Sequence, residues 1–386
     1  MIYSTPELGS QELDVLAMIH EQRQTLRHYV NSNPQSWTGF LRRNALARAI
    51  QGSNSIEGYH ATYDDAVAVI ENEEPMDANR ETWLAITGYR NAMTYIVRIA
   101  DDPFFDFSAQ FIRSLHFMMI SYDLHKLPGQ WRPGYIVVVK QDTGETVYEG
   151  PNAELVPALM EELIQQSLED RDTPTIVKAA MAHLNLTMIH PFKDGNGRMA
   201  RAVQTLILAR DGILSPTFSS IEEWLGSNTQ AYYDVLAAVG QGAWHPENDA
   251  LPWVRFCLRA HYQQAATLIK RNNEMRRVWD QIARLAAERG LPDRCEFAMV
   301  EAAFGFRVRN VRYRTSAEVS EHAAGRDLKR LSELGFLIPR GEKRGRFYVG
   351  SDQLRAIVAA AKDHRRADDP FSLLKPPAEQ ARLPGF

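Results

Sequence analysis

From its first residues to about position 270, the chain repeats apolar side chains at i, i+3 and i+4, the spacing of helices that bury one face. A fold built on that pattern is largely α. Local signals agree: Thr173 offers an N-cap and Pro174 a first helical position for TPTIVKAAMAHLNLTMIH. One stretch breaks the rule. PGYIVVVKQDTGETVYEGPN joins a β-branched run, a turn-forming Asp142-Thr143-Gly144 and a second β-prone run, which predicts a hairpin from Tyr135 to Tyr148.

Length and composition add bounds. The 386 residues suffice for two or three domains with real cores. A net charge of -4 gives no global attraction to nucleic acid or anionic membrane, so binding of that kind needs a local patch. Cys257 and Cys295 make neither a disulfide framework nor metal-ligand spacing, and a reducing cytoplasm is expected. The N-terminal residues lack a basic region followed by an apolar core, and no apolar run nears the roughly 20 residues of a membrane span, so neither export nor insertion is expected.

The pattern changes along the chain. Residues 1–75 read as an N-terminal helical region, 76–265 as the main helical core and 266–292 as a charged helical connector. Short helices and a last β-hairpin follow over 293–352, then a C-terminal helix and tail over 353–386. Past about residue 364 the tail is rich in proline and charge without periodicity, and is expected to be mobile or draped on the surface.

HPFKDGNGRMAR, residues 190–201, concentrates the chemistry. Met199, Ala202, Val203, Leu206 and Ile207 predict an amphipathic helix beginning near Arg198, so Gly195-Asn196-Gly197 leads into a helix N-terminus. Free amides and the positive dipole end make such a turn an anion site, and glycines let a phosphate approach the backbone. Arg198 and Arg201, three apart, extend that site to further phosphates. Asp194 would face the same anions, which is repulsive unless a hard cation such as Mg²⁺ lies between. His190, ahead of a helix-stopping proline, has the pKa range of a general base. A lone histidine before proline is more often a cap and a lone GNG more often a turn, but packing does not require all of these within twelve residues.

This segment resembles the signature of the Fic (filamentation induced by cAMP) family, His-x-Phe-x, Asp or Glu, then GNGRxxR, at every defining position. The resemblance runs from about residue 35 to 265. It implies a helical Fic core with a β-hairpin flap, and transfer of AMP from ATP to a protein Tyr, Ser or Thr hydroxyl. On that resemblance His190 deprotonates the hydroxyl and Asp194 holds Mg²⁺. Gly195, Asn196 and Gly197 form the anion hole, Arg198 binds phosphate beside it, and Arg201 fixes the γ-phosphate. Phe192 is an anchor under the loop and Lys193 is solvated. Gly197, in place of lysine, points to AMP-transferring members and away from Doc-type kinases.

Upstream, Ser53, Glu57 and Gly58 in GSNSIEGYH resemble the inhibitory motif of many Fic proteins, in which Glu57 would pair with Arg201 where the γ-phosphate belongs. The same carboxylate could orient water for AMP removal. The hairpin resembles the flap that adds a target segment as an extra strand, with Val138 and Val139 beside the nucleotide and Arg132 ordering it. A hairpin that merely packs on the helices accounts equally well for any one of its side chains. Tyr232 or Tyr233, in a segment resembling the family's adenosine-lining one, would stand near adenine, with at least one of the two in the core.

The segment RTSAEVSEHAAGRDLKRLSELGFLIPRGEKRGRFYVG resembles a winged helix-turn-helix. Ala317 to His322 would lead into a second helix carrying Arg326, Leu328, Lys329 and Leu331, and Arg340, Lys343, Arg344 and Arg346 would line the wing. DNA and a docked protein are alternative partners for it. Two other functions stay open: a DNA-binding regulator whose core senses nucleotide, and a phosphodiesterase that chiefly removes AMP. The AMP acceptor is a protein hydroxyl, with the chain itself among the candidates, and a homodimer is an alternative to a monomer.

Overall fold

The computed structural model describes residues 1–32, 35–74, 77–140, 143–170, 172–210, 212, 216–342 and 345–374. Asp142 of the expected hairpin turn, Lys343 and Arg344 of the expected wing, and the tail past 374 lie outside the described residues. Two compact units emerge, one holding residues 38–266 with 1–32 and 367–374, the other holding 267–366 with 35–37. Residues 1–32 and 38–74 fall in the same compact unit as the helices up to residue 266.

The first unit opens with α1 (Ser10–Ser32), α2 (Gln35–Ile56), α3 (Tyr63–Ile70), α4 (Arg80–Ile99) and α5 (Ala109–Ile120). The hairpin β1 (Val137–Val139) and β2 (Thr146–Glu149) follows, then α6 (Val156–Glu169), α7 (Thr175–Ile189), α8 (Asn196–Arg210), α9 (Pro216–Ser219), α10 (Glu222–Ser227), α11 (Thr229–Gly240) and α12 (Leu251–Glu288), whose residues from 267 onward belong to the second unit. Helix α7 has one charged residue, Lys178, and sits between two apolar cores. One core gathers Ile86, Tyr89, Ile112, Leu115, Phe192 and Val203; the other gathers Ile176, Leu184, Leu236, Trp253 and Phe256. Each such side chain contributes about 1.5–3 kcal/mol when fully buried. The Trp253 indole N–H, which burial would otherwise strand, donates to Ala180 O at 2.7 Å.

Three local expectations need correction. Helix α7 starts at Thr175 with Pro174 in extended backbone at the cap, because Asp170 Oδ1 accepts the Thr173 amide at 2.9 Å and holds that residue in the preceding turn. Helix α8 is not amphipathic: Arg198, Arg201, Gln204 and Thr205 are buried with its apolar face, and of its residues only Arg210 is exposed. Arg201 bonds Ser53 and Glu57, whereas Gln204 and Thr205 are paired inside the protein with His183 and Glu222. In the tail, α17 (Pro370–Leu373) forms after the elements of the second unit, and Phe371 packs on the α7–α12 core.

The hairpin is antiparallel, pairing Val137 with Glu149, Val138 with Tyr148 and Val139 with Thr146 across a bulge between Val138 and Val139. Lys140 and Gly144 close it through the Gly144 amide on Lys140 O at 2.8 Å, with Gly144 at φ +69. On its far side β2 is anchored, since Glu149 N donates to Gly242 O at 2.9 Å and the Tyr148 hydroxyl donates to Met188 O at 2.7 Å.

The second unit runs through α13 (Cys295–Ala303), α14 (Asn310–Ser316), α15 (Glu321–Glu333), the antiparallel pair β3 (Leu337–Arg340) and β4 (Phe347–Gly350), and α16 (Asp352–Ala361). Val308 exchanges both backbone bonds with Tyr348 at 2.8 Å, adding a third strand position. The turn between α14 and α15 spans residues 317–320, with Ser320 Oγ capping Ala323 N at 3.3 Å, so His322 already lies within α15. Arg294 grips Asp327 at 2.7 Å and Tyr313 donates to the same carboxylate at 3.0 Å, tying the three helices together.

Candidate active site

The turn between α7 and α8 creates the site. Helix α7 ends at His190 in left-handed backbone (φ 50, ψ 58), its amide still bonded to Leu186 O at 3.0 Å, and Pro191 prevents continuation. His190 Nδ1 lies 3.1 Å from Thr187 O. A carbonyl only accepts, so Nδ1 carries the proton and Nε2 presents its lone pair. Burial holds the imidazole pKa below its ordinary 6.5, and Arg132 adds to this, while the Thr187 carbonyl, Glu57 and Asp194 act against it. The ring is therefore neutral near pH 7, the state a base requires.

Arg132 is buried, and its Nε donates to His190 O at 2.8 Å, Nη1 to Gly134 O at 2.6 Å and Nη2 to Pro151 O. One guanidinium thus joins the histidine's backbone to both ends of the hairpin. Phe192 is fully buried and stacks on His116 with centroids 3.7 Å apart, as the anchor expectation required. Gly129 N donates to His116 Nδ1 at 2.9 Å, leaving Nε2 to donate to Asp194 O at 2.9 Å. Burial pushes the His116 pKa down to about 4, so this neutral tautomer persists. Asn196 ties the turn internally, accepting from Phe192 N and donating to Phe192 O, both at 2.8 Å. Gly195 has φ +79, and a Cβ there would press on Ile120.

Two buried cations follow in the first turns of α8. No nitrogen of the Arg198 guanidinium has a hydrogen-bond partner among the described residues; its neighbours are the Tyr59 ring at 5.1 Å, the Tyr122 hydroxyl, and Asp194 Oδ2 at 3.9 Å. Arg201 donates from Nε to Ser53 Oγ at 2.7 Å, and from Nη2 to Ser53 O at 3.0 Å and Glu57 Oε1 at 2.6 Å, while Nη1 is unpartnered. Burial opposes both charges, yet Glu57 and neighbouring oxygens hold both pKa values above the ordinary arginine value. Buried donors without acceptors are costly, and here they converge on a helix N-terminus whose first amides lack intrahelical acceptors. An anion with several oxygens would satisfy them.

Glu57 reaches Arg201 because Gly52 and Gly226 let α2 and α10 touch: a Cβ at Gly52 would collide with the Glu222 and Glu223 backbone. Helix α2 stops at Ile56, the Glu57 amide bonds Asn54 O at 3.1 Å, and Gly58 turns the chain at φ +83. Behind Arg201 the Tyr89 hydroxyl donates to Glu222 Oε1 at 2.7 Å, and burial pushes the Glu222 pKa up to about 7.

Asp194 Oδ1 accepts the Gly195 amide at 2.6 Å, and Oδ2 lies 2.8 Å from Lys126 Nζ. Burial opposes that carboxylate's charge, but Lys126, Arg198 and the Gly195 amide hold its pKa below the usual range. Lys126 is likewise penalised by burial, while its bonds to Asp194 and Tyr59 hold its pKa above the ordinary lysine value. Among the described residues no three His, Cys, Asp or Glu side chains could cage a metal. One partly exposed carboxylate beside a phosphate cradle does fit Mg²⁺, which keeps most of its waters and takes oxygens from phosphate.

The remaining predicted residues divide. Tyr232 is 2% exposed and donates to His183 Nε2 at 3.0 Å within the core, whereas Tyr233 is 44% exposed with its hydroxyl on Ile56 O at 3.0 Å, beside Glu57. Tyr232 is thus closed to adenine, and its adenosine assignment gives way to a packing role. Val138 packs toward the core and Val139 is exposed. Lys193 is exposed, as expected, with Nζ on His125 O at 2.9 Å. His116, Tyr59, Tyr122 and Lys126 complete the site without having been singled out from sequence; each lies in an ordinary helical or loop context, and only the fold brings them to the turn.

Residues 106–208 match the Fic/DOC family. The chain is 38% identical over 117 residues to the protein adenylyltransferase fic-1 of Caenorhabditis elegans, covering 28% of this chain and 20% of that one. It is 26% identical over 247 residues to the protein adenylyltransferase Fic of Drosophila melanogaster, covering 63% and 44% respectively. It thus spans less than half the length of these relatives. A Fic family protein of Desulfovibrio desulfuricans superposes with a TM-score of 0.57 over 90% of this chain and 98% of that one, at 22% identity, a likeness of fold.

Proposed function

The chain carries a Fic/DOC-family domain over residues 106–208, and from that premise we propose that it is a protein adenylyltransferase, moving AMP from ATP to a protein hydroxyl and restrained by its own Glu57. The observation that carries this is the pair of buried guanidiniums, Arg198 and Arg201, with four nitrogens that have no hydrogen bond among the described residues, in the first turns of α8. Triphosphate oxygens would fill those positions, and charge spread over phosphate oxygens is what a nucleotidyl-transfer site must stabilise.

In this reading His190 Nε2 takes the proton of the target hydroxyl as that oxygen attacks the α-phosphorus, and pyrophosphate leaves. Arg132, through His190 O and the hairpin ends, couples the base to a target strand laid along β1. Asp194 would hold Mg²⁺, which supplies charge neutralisation on the phosphates when bound. Tyr233 remains for the adenosine side. Glu57, 2.6 Å from Arg201, occupies the γ-phosphate position and would leave ATP misaligned. The same carboxylate could orient water for removal of AMP, with His190 returning the proton to the departing hydroxyl. A cytoplasmic location and Mg²⁺·ATP as donor belong to the same proposal; no described helix is long and apolar enough to cross a membrane. The test is transfer of label from α-labelled ATP to protein by the native chain and by Glu57→Gly.

A second reading concerns the 267–366 unit. Its order of three helices, turn and hairpin suits a winged helix, and Arg326, Lys329, Arg330, Arg340 and Arg346 are all exposed. Such a face would bind DNA phosphates or an acidic protein surface, and salt-dependent DNA retention decides between them.

A further inference from the structure

Lys126 ends the short turn Leu124–Lys126 after α5, outside the motif. Its ammonium lies 2.8 Å from Asp194 Oδ2 and 3.0 Å from the Tyr59 hydroxyl, between the Tyr59 and Tyr122 rings at 5.7 and 5.5 Å. Asp194 Oδ1 is bonded to the Gly195 amide, and Arg198 Nη2 stands 3.9 Å from Oδ2. The oxygen that a divalent ion would take therefore already faces a fixed positive charge. When an ion takes it, the Lys126 ammonium, in a pocket that leaves 21% of its side chain exposed, loses its anionic partner. The anions then within the site are the nucleotide's phosphate oxygens.

We propose that Lys126 is a resident counter-cation of the metal site: it neutralises Asp194 when no divalent ion is bound, and passes its ammonium to a nucleotide phosphate oxygen when ion and nucleotide arrive. This rests on the nucleotide and Mg²⁺ reading given above. The consequence is a set linkage between ion and nucleotide. With Lys126 present, Asp194 is screened and phosphate binds even without an ion. Without Lys126, the bare carboxylate repels phosphate until an ion covers it, so nucleotide binding depends more strongly on the ion.

The test is calorimetric titration of ADP into the full chain, in Mg²⁺ and in EDTA, reading the ratio of the two Kd values. Lys126→Met should raise that ratio roughly tenfold above native, the scale of one charge-assisted hydrogen bond. Lys126→Arg, which keeps the charge, should stay near native and so separates charge from packing, and Asp194→Asn should bring the ratio close to one. If Asp194→Asn removes the Mg²⁺ dependence while Lys126→Met matches native, the counter-cation is wrong and the metal reading stands. If Asp194→Asn keeps the full Mg²⁺ dependence, the metal is not on Asp194 and both fall.

Discussion

Glu57 Oε1 accepts from Arg201 Nη2 at 2.6 Å, and the same oxygen sits so close to Gly197 that a Cβ there would collide with it. One carboxylate thus covers both the arginine and the helix N-terminus to which the proposed function assigns the phosphates. Removing the side chain should release both, and removing only its charge should release less. Initial self-labelling rates should rank Glu57→Gly above Glu57→Gln above native, with a gain of up to about 100-fold for Gly. Equal rates for all three would return Glu57 to the role of a helix-end residue.

His190 has a pKa held below 6.5 chiefly by burial. In the proposed transfer its neutral form is the base, so transfer by Glu57→Gly protein should be flat around pH 7 and fall only as pH drops through that lowered value. Glu57 raises this pKa, so its removal moves the acid limb further down. A limb centred above 6.5 contradicts the assignment. His190→Ala should lower the rate by at least about 10²-fold while leaving ADP affinity near native.

The two tyrosines should separate by readout. Tyr232→Ala empties a core position and leaves His183 Nε2 unbonded, costing about 3–5 kcal/mol in denaturant melts. Tyr233→Ala should leave the melt within about 1 kcal/mol of native and weaken ADP binding several-fold in calorimetry. The reverse pattern would place adenine elsewhere.

Sequence reading reached different depths in different places. The order of residues from His190 to Arg201 located the turn into α8 that carries both buried arginines, because its backbone and cations are contiguous. It misjudged α8 as amphipathic, because Arg198 and Arg201 count as solvent-facing until something shows that they are buried. Adjacent Tyr232 and Tyr233 could not be assigned, since which face is core depends on Trp253 and His183, distant in sequence. Lys126 was invisible for the same reason: it lies 68 positions before Asp194, and only the packing of α5 against the turn brings them together.

AMP removal can be tested separately. On AMP-modified protein freed of ATP and supplied with Mg²⁺, native protein should release AMP, whereas Glu57→Gly and His190→Ala should both be slow. Equal release by native and Glu57→Gly protein leaves Glu57 as a restraint alone.

For the C-terminal unit, Arg326→Glu with Lys329→Glu should weaken DNA retention most visibly at low salt and leave transfer by the Fic domain within about twofold of native. Absence of salt-sensitive retention by native protein favours a protein partner.

Intact-mass spectrometry after incubation with ATP and Mg²⁺ tests nucleotidyl transfer most directly, without any known target. Glu57→Gly protein should gain the mass of one AMP or more, native protein far less, and Glu57→Gly combined with His190→Ala none. No gain by Glu57→Gly protein, alone and with candidate protein acceptors present, or a gain of a phosphate in place of AMP, would rule out AMP transfer by this site.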